Sequence, residues 1–147
     1  MTNLGISKKF IKVIPNSMSL IRSHIRNASE SDLSFPKFRI LSNINRGLCT
    51  VSELAENHCI SQPAVSKLVD SLVDEKYITR HENTSDRRFI ELRLTPEGSK
   101  KFQDVRTKAS KEFQHNIDLL NSKELKQLED ALSFLESFFY NIQERKS

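Results

Sequence analysis

Two prolines bound what the middle of this chain can become. Pro63 follows Ser61-Gln62, and Pro96 follows Thr95 directly. A proline inside a helix or a paired strand forfeits a backbone hydrogen bond, but one just behind a hydroxyl cap is preset for a helix start. After Pro63, the residues Val65, Leu68, Val69 and Leu72 recur at helical spacing. Residues 77–82 and 89–94 then alternate as two short strands around the turn-prone Asn83-Thr84-Ser85-Asp86. Thr95 and Pro96 restart a helix. The middle therefore reads as a capped helix, a β-hairpin and a second capped helix.

The flanks are helical. Phe10, Ile11, Ile14, Met18, Ile21 and Ile25 form one stripe over residues 8–28, interrupted by Pro15, where the helix either starts or kinks. Ser34 precedes Phe35-Pro36 as the cap of a helix with Phe38, Ile40, Leu41 and Ile44 inward, ending near Asn45-Arg46-Gly47. Thr50 with Glu53 reads as a capping box for a short helix burying Val51, Leu54 and Ala55, and Ile60 is expected to plug the turn that follows. Beyond Pro96 the stripe is Phe102, Val105, Ala109, Phe113, Ile117 and Leu120. Asn121-Ser122 breaks it, with Ser122 expected to cap a last helix carrying Leu125, Leu128, Leu132, Leu135, Phe138, Phe139 and Ile142.

The expected fold class is mainly α with a small β-hairpin wing. Residues 33–95 form the winged helix-turn-helix lobe of one domain spanning 1–147. Residues 8–28 and 96–144 form a helical dimerisation region, because their apolar faces exceed what one lobe can cover. With 3 glycines, the chain lacks the glycine-rich turns of a nucleotide-binding enzyme. No G-x-S-x-G, H-E-x-x-H or phosphate loop occurs, so catalysis is not expected. No apolar run of membrane-spanning length and no secretion signal are visible, and a cytoplasmic location is expected. The net charge of +4 permits an anionic partner without demanding one.

With its apolar face held down, the helix of residues 61–76 presents Gln62, Ala64, Ser66 and Lys67 outward. Gln62 suits adenine, Ala64 a thymine methyl, Ser66 a base or phosphate, and Lys67 a phosphate or guanine. Ser61 sets the helix N-terminus where free amides favour an anion. Asp70, Asp74 and Glu75 make the far half acidic, so this helix would meet DNA by its N-terminal end. Arg87 and Arg88 on the hairpin suit a minor groove or flanking phosphates, with Asp86 expected to pair with Arg88 and hold its guanidinium. The bland alternatives are an ordinary amphipathic helix and a solvated charge cluster.

These residues resemble the MarR family of bacterial and archaeal winged-helix transcription regulators. The likeness runs through Val51-Ser52-Glu53-Leu54-Ala55, the segment from Ile60 to Val69, Asp86-Arg87-Arg88 and Leu94-Thr95-Pro96-Glu97-Gly98. The resemblance implies an obligate homodimer on palindromic promoter DNA. It is usually a repressor, relieved by small phenolic or lipophilic ligands or by cysteine oxidation. It implies the helix of residues 61–76 in the major groove and Arg88, supported by Asp86, in the minor groove. An effector would lie between dimer helices and DNA-binding lobe, where Met18, Ile21, Ile25, Phe38 and Leu41 are candidates, although core packing explains the same residues. Lys76 and Cys59 fall where the family often has glycine, and a left-handed cap at Lys76 would cost roughly 1 kcal/mol. The alternative function is a winged-helix module that binds protein rather than DNA.

Cys49 and Cys59 are expected to be reduced, either as small buried thiols or as redox sensors near helix N-termini. His24, His58, His81 and His115 show no metal-ligand spacing, and no cofactor or metal is expected. His81 stands on the first wing strand, where contact with DNA and simple solvation are both open.

Overall fold

The computed structural model describes residues 2–30 and 32–145. The elements run α1 (Asn3–Ala28), α2 (Phe35–Asn45), α3 (Val51–His58), α4 (Gln62–Asp74), β1 (Ile78–Glu82), β2 (Ile90–Leu94), α5 (Pro96–Ile117) and α6 (Ser122–Glu144). The fold is mostly helical with one antiparallel hairpin, β1 against β2, as expected. The chain forms two compact units that meet after Ser110.

In the first unit, α2, α3 and α4 enclose a core with the hairpin. Ile40, Leu41, Leu54, Val65, Val69 and Leu72 are fully buried, and Ile78 and Leu92 join them from the two strands. These strand residues lie on one sheet face, because Ile78 pairs with Leu94 and Leu92 with Arg80 in a period-two register. Ile25 and Ala28 from α1, and Phe102, Val105 and Ala109 from α5, complete the cluster. The Leu92 N–H donates to the Cys49 carbonyl at 2.7 Å, so the segment before α3 covers the free edge of β2.

Helix starts follow the local chemistry. Ser34, Thr50 and Ser61 each accept a hydrogen bond from an amide of the first turn, and Thr50 and Glu53 form the full capping box. Thr95 accepts from the Gly98 amide at 2.9 Å and donates to the Lys76 carbonyl at 2.6 Å, which pins the start of α5 to the end of α4.

Four expectations are corrected. Helix α1 starts at Asn3, capped by Thr2, and runs through Pro15 rather than beginning there. Pro15 and Ile11 both lie on the exposed side, so water can serve the carbonyl that Pro15 leaves without an amide. Ile60 does not plug its turn; it is 41 % exposed, since the turn is closed by backbone bonds instead. The cap of α6 is Asn121 rather than Ser122. Its side chain accepts from the Lys123 and Glu124 amides, and the Asn121 amide in turn donates to the Glu124 carboxylate. The strands are each one residue shorter, because Tyr77 still belongs to the helix-ending turn and Phe89 closes a turn of its own.

In the second unit, no residue of α6 is buried. An open groove there is walled by Phe113, Ile117, Leu125, Leu128 and Leu132. Leu132, Phe134, Phe139, Tyr140 and Ile142 also stand exposed along α6.

Candidate nucleic-acid interface

Helix α4 ends in a left-handed residue. The Lys76 amide donates to Val73 and the Tyr77 amide to Leu72, with Lys76 at φ 64°. Cys59, at φ 54°, closes α3 in the same way, with the Ile60 amide reaching the Ala55 carbonyl. The two positions expected to resemble glycine are thus left-handed with lysine and cysteine in place. The turn at Cys59 reverses the chain so that α4 follows α3 at once.

The first turn of α4 faces outward. Ser61, Gln62 and Lys67 are exposed, while Ala64 and Ser66 are half-buried, less free than the sequence implied. Ser61 Oγ accepts from the Ala64 amide at 3.3 Å, which leaves its O–H as a donor toward an anion. Two of the three acids of the far half are paired within the unit, Asp70 with Arg80 of β1 and Glu75 with Lys37 of α2, while Asp74 is exposed. Ser71 also donates to Glu75 at 3.2 Å. The negative charge of α4 therefore lies at the end away from Ser61, most of it paired.

The wing tip is built from two successive turns. Asn83 Oδ1 accepts from the Ser85 and Asp86 amides at 2.8 and 3.0 Å, and Asn83 Nδ2 donates to Glu91 at 2.5 Å. The Phe89 amide then donates to the Asp86 carbonyl at 3.1 Å, making Arg87 and Arg88 the two corner residues. Arg88 donates to Asp86 from Nε at 3.0 Å and from Nη2 at 2.7 Å, the expected pairing. The guanidinium beside it holds the Asp86 carboxyl below its ordinary value, and the carboxylate raises Arg88 in return. The Arg88 side chain remains 85 % exposed. A fork-shaped cation held at one end and open at the other is arranged to meet phosphate or a base edge with little ordering cost.

Asn83 and Arg80 were not singled out in the sequence. Asn83 entered only as part of a turn-prone run, although asparagine there suits an Asx turn; the Asp70–Arg80 bond joins separate elements and leaves no local signal. His81 is exposed, its Nε2 at 2.8 Å from Thr79 Oγ1.

Solved structures of this shape are numerous. The apo form of MarR from E. coli superposes with a TM-score of 0.74 at 21 % identity, over 92 % of this chain and 98 % of that one. Rv1404 of Mycobacterium tuberculosis gives 0.77 at 19 %, over 93 % and 94 %. At these identities the likeness establishes the fold. In sequence, residues 31–88 match the MarR family model. The HTH-type transcriptional regulator YpoP of Bacillus subtilis is 30 % identical over 79 % of this chain and 83 % of its own length. The chain belongs to the MarR family. It is a DNA-binding transcription regulator with a winged helix-turn-helix. A second relative, the HTH-type transcriptional repressor MdtR of Bacillus subtilis, is 41 % identical over 46 % of this chain and 44 % of its own length.

Other sequence candidates lie elsewhere in this MarR fold. Ile25 and Leu41 are sealed in the core, Phe38 packs on Phe102 with ring centroids 5.3 Å apart, Met18 is half-buried and Ile21 is exposed. The two thiols differ. Cys49 is half-buried and pushed up by burial and by Glu53 and Glu91, the reverse of an activated thiol, although it precedes a helix. Cys59 is exposed rather than buried. Asn43 Nδ2 donates to Asn57 Oδ1 at 2.8 Å and lies 2.7 Å from His58 Nε2, joining α2 to α3. Burial, with Arg39 nearby, lowers His58 from 6.5 to about 4. Among the described residues, no three His, Cys, Asp or Glu side chains converge as metal ligands, and no helix is long and apolar enough to cross a membrane.

Proposed function

We propose that the protein is a homodimeric repressor of palindromic promoter sites, released by a small lipophilic or phenolic ligand or by thiol oxidation. The observation that carries the DNA-contact assignment is the Asp86–Arg88 fork at the wing tip, taken together with the outward first turn of α4. Ser61, Gln62, Ala64, Ser66 and Lys67 meet the major groove; Arg87 and Arg88 meet the minor groove or its phosphates, with Asp86 as the orienting group.

The dimer is supported by the exposed apolar residues of α6, which water would otherwise wet. Repression is supported by the likeness to the transcriptional repressor MdtR. For the effector, Met18, Ile21 and Phe38 keep surface to offer, while Ile25 and Leu41 are buried and would act only through packing. Release by oxidation falls to Cys59, the exposed thiol.

The test is a footprint of the purified full chain on its own upstream intergenic DNA, with a salt titration against scrambled duplex. A protected palindrome with half-sites one helical turn apart is the expected result. Equal affinity for both duplexes across the titration, and no site recovered from a random-sequence pool, would overturn it.

A further inference from the structure

The wing tip carries a large apolar side chain that its arginines do not explain. Phe89 is 55 % exposed. Its backbone is fixed on both sides: its amide donates to Asp86 at 3.1 Å and its carbonyl accepts from the Asn83 amide at 3.0 Å. The register that pairs Glu82 with Ile90 continues to set Asn83 opposite Phe89. Phe89 precedes β2, and its exposure keeps its ring out of the core that Ile78 and Leu92 enter. The ring therefore makes no contribution to the core, and it is carried on the same short turn as Arg87 and Arg88.

We propose that Phe89 is a DNA-contacting residue whose ring packs on the deoxyribose walls of the minor groove next to Arg88. The inference rests on the DNA-binding reading of the wing. The groove fits this pair of chemistries, because its rims are anionic phosphates and its walls are the apolar edges of sugars. Two of the three acidic groups of the wing are engaged, and Glu82, in register with Ile90, is exposed. Asp86 is paired with Arg88, and Glu91 accepts from Asn83 and from Arg93 at 3.2 Å. What the tip offers a partner is thus cationic and apolar, which matches a duplex better than a second copy of the same cationic tip. Phe89 would add affinity that does not depend on counterion release, alongside the salt-dependent share from the arginines.

The experiment compares the full-length protein with its Phe89→Ala, Phe89→Leu and Arg88→Ala variants on a duplex selected by the wild type from a random pool. Binding is followed by anisotropy over a salt series, sugar accessibility by hydroxyl-radical footprinting, and mass by sedimentation. Phe89→Ala should bind about tenfold more weakly at every salt concentration, with an unchanged salt slope. It should also lose sugar protection beneath the wings, and Phe89→Leu should recover most of both. Arg88→Ala should instead lower the slope by about one. The inference fails alone if Phe89→Ala binds within twofold of wild type, shifts the slope as Arg88→Ala does, or changes the oligomeric mass. If the wild type selects no duplex, the functional reading falls and the inference with it.

Discussion

A Cβ on Gly98 would lie 2.0 Å from the carbonyl oxygen of Tyr77. That contact explains the glycine of the Leu-Thr-x-x-Gly pattern: the first turn of α5 crosses the backbone that leads into β1. The Thr95 amide donates to the same carbonyl at 3.0 Å, so neither segment can retreat without losing the bond. Gly98→Ala should therefore destabilise the protein by about 3 kcal/mol, by overpacking rigid backbone. Urea unfolding measures this, and a loss under ~0.5 kcal/mol would show that the contact relaxes freely.

Lys76 holds a conformation that disfavours any side chain bearing a Cβ, at φ 64°. Lys76→Gly should raise stability by about 1 kcal/mol, since relief of the left-handed strain exceeds the extra backbone entropy glycine brings. The change is read as a higher denaturation midpoint at unchanged slope.

Asp86 and Arg88 should act on DNA as one unit. Arg88→Ala is expected to weaken binding roughly tenfold or more, as loss of a charge-assisted contact does. Asp86→Ala should cost less, because it leaves the cation but frees it to wander. The double variant should be no weaker than Arg88→Ala alone. A simple sum of the two single effects in the double-mutant cycle would mean that Asp86 does not position Arg88.

His58 should make stability pH-dependent. Its folded value is about 4 against an ordinary 6.5, and the short contact from Asn43 Nδ2 needs an unprotonated Nε2. Between those values the unfolded chain takes up a proton that the folded chain refuses. Stability should thus fall as pH drops from about 6.5 toward 4, then level off. His58→Gln should flatten that stretch of the pH–stability curve, measured by thermal unfolding at closely spaced pH values. An unchanged curve in the variant would place the proton uptake elsewhere.

The thiols should separate in a labelling experiment. Cys59 is exposed, whereas Cys49 is half-buried and raised by burial and by Glu53 and Glu91. An aromatic disulfide reagent at mildly alkaline pH should therefore modify Cys59 first. Cys59→Ser should remove the fast phase and leave the slow one, and persistence of the fast phase would assign it to Cys49.

What the sequence alone determined about this protein are its local devices. Ser34, Thr50, Ser61 and Thr95 start helices because a cap bonds amides within three residues of itself. The buried face of α4 and the pairing of Asp86 with Arg88 were legible for the same reason, since each depends on neighbours in the chain. The tertiary structure decided whatever depends on distant segments. Coverage is one such property: Ile60 stays largely exposed, and α1 continues through Pro15 on a side that faces solvent. The different settings of Cys49 and Cys59, the Asn43–His58 contact and the need for glycine at position 98 all arise where separate elements meet. Periodicity announces that a face is buried, but not what it is buried against. Close approaches and shifted protonation are properties of that second surface.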